Sequence, residues 1–126
     1  MYDEVGEQFF VDLVDRFYEG VESDDVLLVL YPERDDLSGA RERLRLFLIQ
    51  YWGGPTTYSD ERGHPRLRQR HFPFVIGERE RDHWLLHMNG AIDSTCEARG
   101  SDESVRQRLR EYMTNAANHM VNSNSN

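Results

Sequence analysis

The sequence contains no lysine, and all fifteen of its cationic side chains are arginines. It also carries 23 acidic residues, so the formal net charge is −8. A nucleic-acid-binding domain needs a dominant basic face for phosphate contacts, and this charge balance argues against nucleic acid as a partner. No apolar run approaches the ~18 residues that read as a membrane-spanning helix, so we expect no membrane span.

Cysteine is almost absent as well. Cys96 is the only one, which excludes an intrachain disulfide, and its simplest role is that of a small buried helix residue. The first twenty residues are acidic and lack a basic start followed by an apolar stretch, which predicts no signal peptide. The single cysteine leaves the redox compartment open, and the lack of a signal peptide and of a membrane span predicts a cytoplasmic protein.

Several local signatures of chemistry are also missing: Cys-x-x-Cys, His-Glu-x-x-His and a glycine-rich phosphate loop. Among the five histidines, only His83 and His87 have the i,i+4 spacing of a pair on one helix face. A zinc site would need three or four converging ligands. Because both histidines lie off the centre of the apolar stripe, we favour a solvated helix face over a metal pair.

Apolar residues recur with the helical period, which predicts an all-α fold. The predicted helices cover residues 2–5, residues 7–21, a stretch capped by residues 35–38 that runs to about Trp52, a stretch that begins at Glu78, and a last helix that is capped again at 100–102. A short segment at 26–31 has N-cap candidates at residues 23–25. Residues 55–65 are expected to be irregular, 66–72 to form one short helix, and 72–76 to alternate weakly like a strand. At 126 residues the chain fits one domain of the usual ~100–150 residues. We place that domain at 1–121, with 122–126 as a disordered polar tail.

Hydrophobic residues make up only 38% of the chain, and the mean hydropathy is −0.75. The protein's own core is therefore thin for its size. A cofactor with large apolar faces would add buried area at about 25 cal/mol per Å².

A cationic segment follows the breaker Gly53-Gly54-Pro55, where the chain must reverse. Between Arg62 and Phe74 there are four arginines and no acid, which indicates a small anionic partner. A neutral imidazole at His71 is a good iron ligand, and nearby arginines suit the two carboxylates of a haem edge. A histidine that merely caps a turn remains the alternative at this stage.

Three polar aromatic residues, Tyr18, Tyr31 and Trp84, fall where helices would present apolar faces. Core packing with some partner for the polar tip accounts for each one taken singly. Taken together, they offer O–H and N–H donors to a bound, partly anionic dioxygen, and such donors act most strongly in a dry pocket.

From Tyr2 to about Asn122 the chain resembles the group II truncated haemoglobins. The resemblance is carried by Arg16-Phe17-Tyr18, Leu30-Tyr31-Pro32-Glu33, Arg43-Leu44, Gln50-Tyr51-Trp52-Gly53-Gly54-Pro55, Tyr58-Ser59, Arg62-Gly63-His64-Pro65-Arg66-Leu67-Arg68, Arg70-His71, Pro73-Phe74 and Glu80-Arg81-Asp82 with Trp84.

The resemblance implies a two-over-two helical sandwich around one haem b per chain. It implies His71 as the iron ligand and Tyr18, Tyr31 and Trp84 as distal, ligand-stabilising residues; Ala40 falls where other globins place a distal histidine. The implied cofactor-binding residues are Arg43, Leu44, Phe47, Tyr58, Arg70 and Phe74. Among these, Arg43, Tyr58 and Arg70 are expected to meet the propionates, with His64 as a weaker candidate.

The expected function is reversible binding of dioxygen at a five-coordinate haem iron, with nitric oxide and carbon monoxide as further ligands. The alternative is a haem enzyme that reduces peroxide or detoxifies nitric oxide, with Trp52 or Tyr112 as exposed redox-active rings. A cofactor-free helical interaction module is the third hypothesis, and a missing Soret band would favour it. A homo-oligomer and an unidentified reductase partner are both compatible with the sequence.

Overall fold

The computed structural model describes residues 1–31, 35–63 and 76–121. Within these ranges every regular element is a helix and no strand occurs, which confirms the all-α prediction. The helices are α1 (Tyr2–Val5), α2 (Glu7–Glu22), α3 (Asp25–Leu28), α4 (Ser38–Tyr51), α5 (Thr57–Arg62), α6 (Glu78–Arg99) and α7 (Glu103–Met120).

Helix boundaries follow the capping residues of the sequence. The side chains of Asp24, Asp36 and Asp102 accept backbone N–H groups at the starts of α3, α4 and α7. These bonds satisfy donors that have no partner inside the helix. Gly100 ends α6 in the left-handed region at φ 62°, a conformation that glycine adopts without steric cost.

The irregular structure expected for residues 55–65 is wrong for residues 57–62, where the chain forms α5, and residues 64–65 lie outside the described ranges. A tertiary contact fixes this short helix: the Gln50 side-chain amide donates to the Ser59 hydroxyl at 2.7 Å, and its oxygen accepts from the Ser59 N–H at 2.9 Å. Gly63 ends the helix at φ 77°. The predictions for residues 66–75 lie outside the described ranges, as does the predicted tail at 122–126.

The core is built on one face of α2. Its fully buried residues are Phe9, Phe10, Leu13, Val14, Phe17, Tyr18 and Val21. Opposite them, α6 buries Met88, Ile92 and Cys96, and α7 buries Val105, Leu109 and Met113. Cys96 is buried as predicted, and desolvation raises the pKa of its thiol.

Four long helices form two pairs. Helix α2 packs against α4, α6 packs against α7, and the contact between α2 and α6 joins the pairs. This is the expected two-over-two arrangement, and a cavity lies within it. In the described part of the chain, no helix is long and apolar enough to cross a membrane.

Candidate functional site

A cavity of about 570 Å³ lies among α2, α4, α6 and α7, and α3 and α5 also contribute to its wall. This size falls within the ~300–1,000 Å³ of small-molecule and cofactor sites. Most of the wall is apolar, and its apolar lining residues are Leu27, Leu30, Ala40, Leu44, Phe47, Leu48, Ile76, Met113, Ala116, Ala117 and Met120. The cavity can therefore accept a ligand with extended apolar faces.

Every predicted site residue in the described ranges lies on the wall of this cavity. They are Tyr18, Tyr31, Arg43, Leu44, Phe47, Tyr58 and Trp84. The predicted iron ligand His71 and the predicted cofactor residues Arg70 and Phe74 lie outside the described ranges, as does His64. The structure thus brings the polar aromatic residues together, and the roles assigned to all ten residues stay predictions.

The three polar aromatic residues form one cluster through edge-to-face contacts. The centroid of the Tyr18 ring lies 5.8 Å from that of Tyr31 and 4.9 Å from that of Phe17. The Phe17 centroid in turn lies 5.3 Å from that of Trp84. Burial raises the pKa of Tyr18 and raises that of Tyr31 well above its usual value. Both hydroxyls therefore stay protonated at neutral pH and remain hydrogen-bond donors.

Tyr18 and Tyr31 also act on each other's pKa. Tyr31 lowers the pKa of Tyr18 against the larger effect of burial, whereas Tyr18 adds to the rise in the pKa of Tyr31. Both phenols line the cavity, so either can donate its O–H to an acceptor inside it.

Arg41 holds the Tyr18 ring from the side of α4. Its guanidinium carbon lies 5.9 Å from the ring centroid, within range of a cation–π contact. The same guanidinium donates to Asp15 at 3.1 Å and to Glu22 at 2.6 Å, both on α2. This network ties α4 to α2 beside the cluster of polar aromatic residues.

Charged side chains complete the wall. Arg43, Arg62, Arg81 and Glu80 all line the cavity. Glu80 accepts the Gly77 N–H at 2.8 Å at the start of α6, and Arg81 pairs with Asp82 at 3.1 Å. Of these four charged residues, only Arg43 has a cofactor role predicted from the sequence. The i,i+3 spacing of Arg81 and Trp84 places both on one face of α6, and this spacing could have predicted that Arg81 lines the cavity.

The contribution of α7 was also missed. Met113, Ala116 and Met120 line the cavity, and their helical spacing is the same for a stripe that faces a ligand as for one that faces another helix. Tyr112 lines the cavity too, and its ring centroid lies 4.3 Å from that of Tyr51. Burial raises the pKa of Tyr112 to about 12. The expectation that Trp52 and Tyr112 are exposed is wrong, because both are half-buried; the exposed ring of this group is Tyr51, at 52%.

The helix face of His83 and His87, expected to be solvated, is only partly so, because the His83 side chain is 38% exposed and that of His87 is 21% exposed. Both imidazoles bond to Asp24, at 2.8 Å and 2.7 Å. Burial alone would raise the pKa of Asp24, but the hydrogen bonds from the two histidines outweigh it and lower the pKa to about 2. Among the described residues, no group of three or more His, Cys, Asp or Glu side chains is arranged to hold a metal ion.

The cavity fits a haem on chemical grounds. A haem presents two apolar faces and one edge with two carboxylates, and this wall offers Leu, Phe and Met side chains together with three guanidinium groups. Guanidinium–carboxylate pairs are strong, charge-assisted hydrogen bonds. The protonated hydroxyl of Tyr18 adds a hydrogen-bond donor to this mostly apolar wall, as binding of a partly anionic ligand requires.

The chain is similar to known globins along nearly its whole length. The family described as bacterial-like globin matches residues 1–122. A group 2 truncated hemoglobin of Bacillus subtilis is 40% identical over 121 residues, which cover 96% of this chain and 87% of that protein. A thermostable hemoglobin from Thermobifida fusca has a TM-score of 0.91 and 54% identity, with 98% of each chain covered. The crystal structure of a truncated oxygen-avid haemoglobin from Bacillus subtilis has a TM-score of 0.86 and 40% identity, over 96% of this chain and 98% of that one.

Proposed function

Since this chain belongs to the bacterial-like globin family, we propose that it binds one haem b per chain and uses it to bind dioxygen reversibly. The observation that carries the proposal is the mostly apolar cavity in which Tyr18, Tyr31 and Trp84 meet beside arginine side chains. When bound, the haem supplies an iron atom with one coordination position for a diatomic molecule.

The protein's part is to hold the cofactor and to hydrogen-bond what enters the cavity. Tyr18 and Tyr31 stay protonated because burial raises the pKa of both, and the Trp84 indole lines the same wall. Donors fixed in advance in a site of low dielectric interact with a partly negative ligand more strongly than water does. We therefore expect oxygen to be released slowly.

The cations on the wall give the cofactor one orientation. Arg43, Arg62 and Arg81 line the cavity, and their guanidinium groups suit the two propionates. We assign His71 as the iron ligand and Arg70, Phe74 and Tyr58 as further cofactor contacts on the basis of the family resemblance.

The description "oxygen-avid" belongs to the Bacillus subtilis relative. It supports oxygen binding over the enzymatic alternative of peroxide reduction or nitric oxide detoxification. Nitric oxide, carbon monoxide and peroxide as further ligands, a homo-oligomer, a reductase partner and a cytoplasmic location stay predictions.

The test of this proposal is haem titration of the full chain followed by exposure to oxygen and carbon monoxide. We expect a Soret band that saturates at one haem per chain and shifts reversibly with either gas. In His71→Ala the iron–histidine stretching band of the ferrous form should disappear from the resonance Raman spectrum. A wild-type chain without a Soret band would refute the haem site, and an unchanged stretching band in the variant would refute His71 as the ligand.

A further inference from the structure

Asp24 lies between α2 and α3 and uses both of its carboxylate oxygens. Oδ1 accepts the backbone N–H groups of Val26 at 3.0 Å and Leu27 at 3.4 Å, and so caps α3. Oδ2 lies 2.8 Å from His83 Nδ1 and 2.7 Å from His87 Nε2. One side chain therefore joins the start of α3 to two successive turns of α6.

Asp24 and His87 are largely buried, whereas His83 lies at the more exposed edge of the contact. The Asp24 side chain is 10% exposed, that of His87 is 21% exposed and that of His83 is 38% exposed. Helix α2 approaches the His87 ring so closely that a Cβ added at Gly20 would lie 2.4 Å from its Nδ1. The His87 ring is thus held between Gly20 and Asp24, in contrast to an exposed ion pair whose side chains move freely.

Both sides of this contact lead directly to the cavity. Trp84 follows His83 on α6 and lines the cavity wall. On the other side, Leu27, Leu30 and Tyr31 line the wall. The turn after α3 is continuous with the helix, because the Leu30 N–H bonds to the Leu27 carbonyl at 2.9 Å. A shift of α3 against α6 would therefore change the separation of Tyr31 and Trp84.

We infer that Asp24 is a positioning residue for the distal side of the cavity: through His83 and His87 it sets the distance between Trp84 and Tyr31. The inference rests on the proposed haem function, since those two donors matter only when a ligand lies between them. Asp24 itself is absent from the cavity wall and acts through the helices it joins.

The bonds from His83 and His87 to Asp24 fix the tautomers of both imidazoles, which NMR can detect and which a helix cap alone would not affect. A carboxylate accepts only, so each neutral imidazole must donate from the nitrogen that faces it. Neutral His83 then carries its proton on Nδ1 and neutral His87 carries its proton on Nε2, and one oxygen fixes these opposite tautomers.

The test uses the haem-loaded full chain in its ferrous carbonyl form, with carbon monoxide as the probe. Asp24→Ser keeps a good helix cap but is too short to reach either imidazole. Asp24→Asn keeps the cap and the side-chain shape but removes the charge. Asp25→Asn is the matched control, because it removes one negative charge from the neighbouring exposed position of α3. In this form each variant is examined by histidine ¹H–¹⁵N NMR and by the C–O stretching band. The oxygen dissociation rate is measured separately on the oxygen-bound form of each variant.

Wild type and Asp25→Asn should show the Nδ1-protonated tautomer of His83 and one narrow C–O band. In both Asp24 variants the tautomer should be lost, the band should broaden or split, and oxygen release should accelerate by about 3-fold or more, as partial loss of a distal hydrogen bond predicts.

If Asp24→Asn folds and lacks the tautomer but keeps the wild-type band and rate, Asp24 is only a helix cap and the inference fails. Absence of the tautomer in wild type overturns it as well. A wild-type chain that binds no haem is a separate outcome, because it refutes the proposed function before any variant is compared.

Discussion

Replacing Gly20 by alanine should destabilise the protein, although alanine is the better helix former. Gly20 lies within α2, and an ideal Cβ there would be 2.4 Å from His87 Nδ1 and 2.9 Å from His87 Cγ. Atoms cannot approach so closely, so the imidazole has to turn away. Because that ring bonds to Asp24 at 2.7 Å, its displacement breaks the contact.

Two opposing effects decide the magnitude. Alanine in place of glycine inside a helix stabilises by roughly 0.5–1 kcal/mol. Loss of a hydrogen bond to a charged and largely buried carboxylate costs about 1.5–3 kcal/mol. The steric overlap and the lost bond describe one movement of one ring, so they are counted once. We expect a net loss of about 0.5–2.5 kcal/mol in the free energy of unfolding.

The assay is denaturant unfolding of the haem-saturated ferric protein at one fixed haem concentration, since ligand binding raises apparent stability by mass action. Gly90→Ala is the matched control. Gly90 also lies inside a helix, α6, but a Cβ added there meets nothing within 4 Å. This variant should gain about 0.5–1 kcal/mol. The same substitution should thus have opposite signs at the two positions.

A Gly20→Ala protein as stable as wild type, or more stable, would show that the His87 ring does not occupy this place. The double variant Gly20→Ala with His87→Ala adds a second check. Without the ring there is no clash, so the two changes should be non-additive by about 1 kcal/mol or more. Strict additivity would contradict the contact.

Two further predictions concern ligand binding and acid stability. Trp84→Phe should release oxygen ~10-fold faster or more in stopped-flow measurements, because it loses about 1.5–3 kcal/mol of hydrogen bonding to the ligand. Trp52→Phe is the control and should release oxygen at the wild-type rate, because the Trp52 ring is absent from the cavity wall. An unchanged rate in Trp84→Phe would assign the main hydrogen bond to a tyrosine. The pKa of Asp24 is lowered from 3.8 to about 2, so its contribution of about 2 kcal/mol is present above pH 3.8 and is lost as the pH falls through 2. The stability difference between wild type and Asp24→Asn should therefore shrink over this window, and a constant difference in acid unfolding curves would refute the assignment.

The long helices and their caps could be predicted from the sequence. The apolar stripe of α2 from Phe9 to Val21 is buried. Asp24 and Asp102 cap α3 and α7, and Asp36 accepts the Ser38 N–H at the start of α4. Both signals act within a few residues, because helical period and N-capping depend on neighbours three or four positions apart.

Short elements and the full cavity wall could not be predicted in this way. Helix α5 is held by Gln50, which lies nine residues before its partner Ser59 in a different helix. The apolar spacing of α7 does not show that part of this helix lines the cavity, because an apolar face that meets a ligand has the same period as one that meets another helix.

The sequence alone therefore determined the helical class, the capping residues and the polar aromatic and cationic side chains that a haem site requires. Only the tertiary structure decided that His83 and His87 meet Asp24, which lies 59 and 63 residues away along the chain. The physical reason is the range of the forces involved: helix periodicity and capping are local, whereas a contact over that separation exists only because α2, α3 and α6 pack together around a shared core.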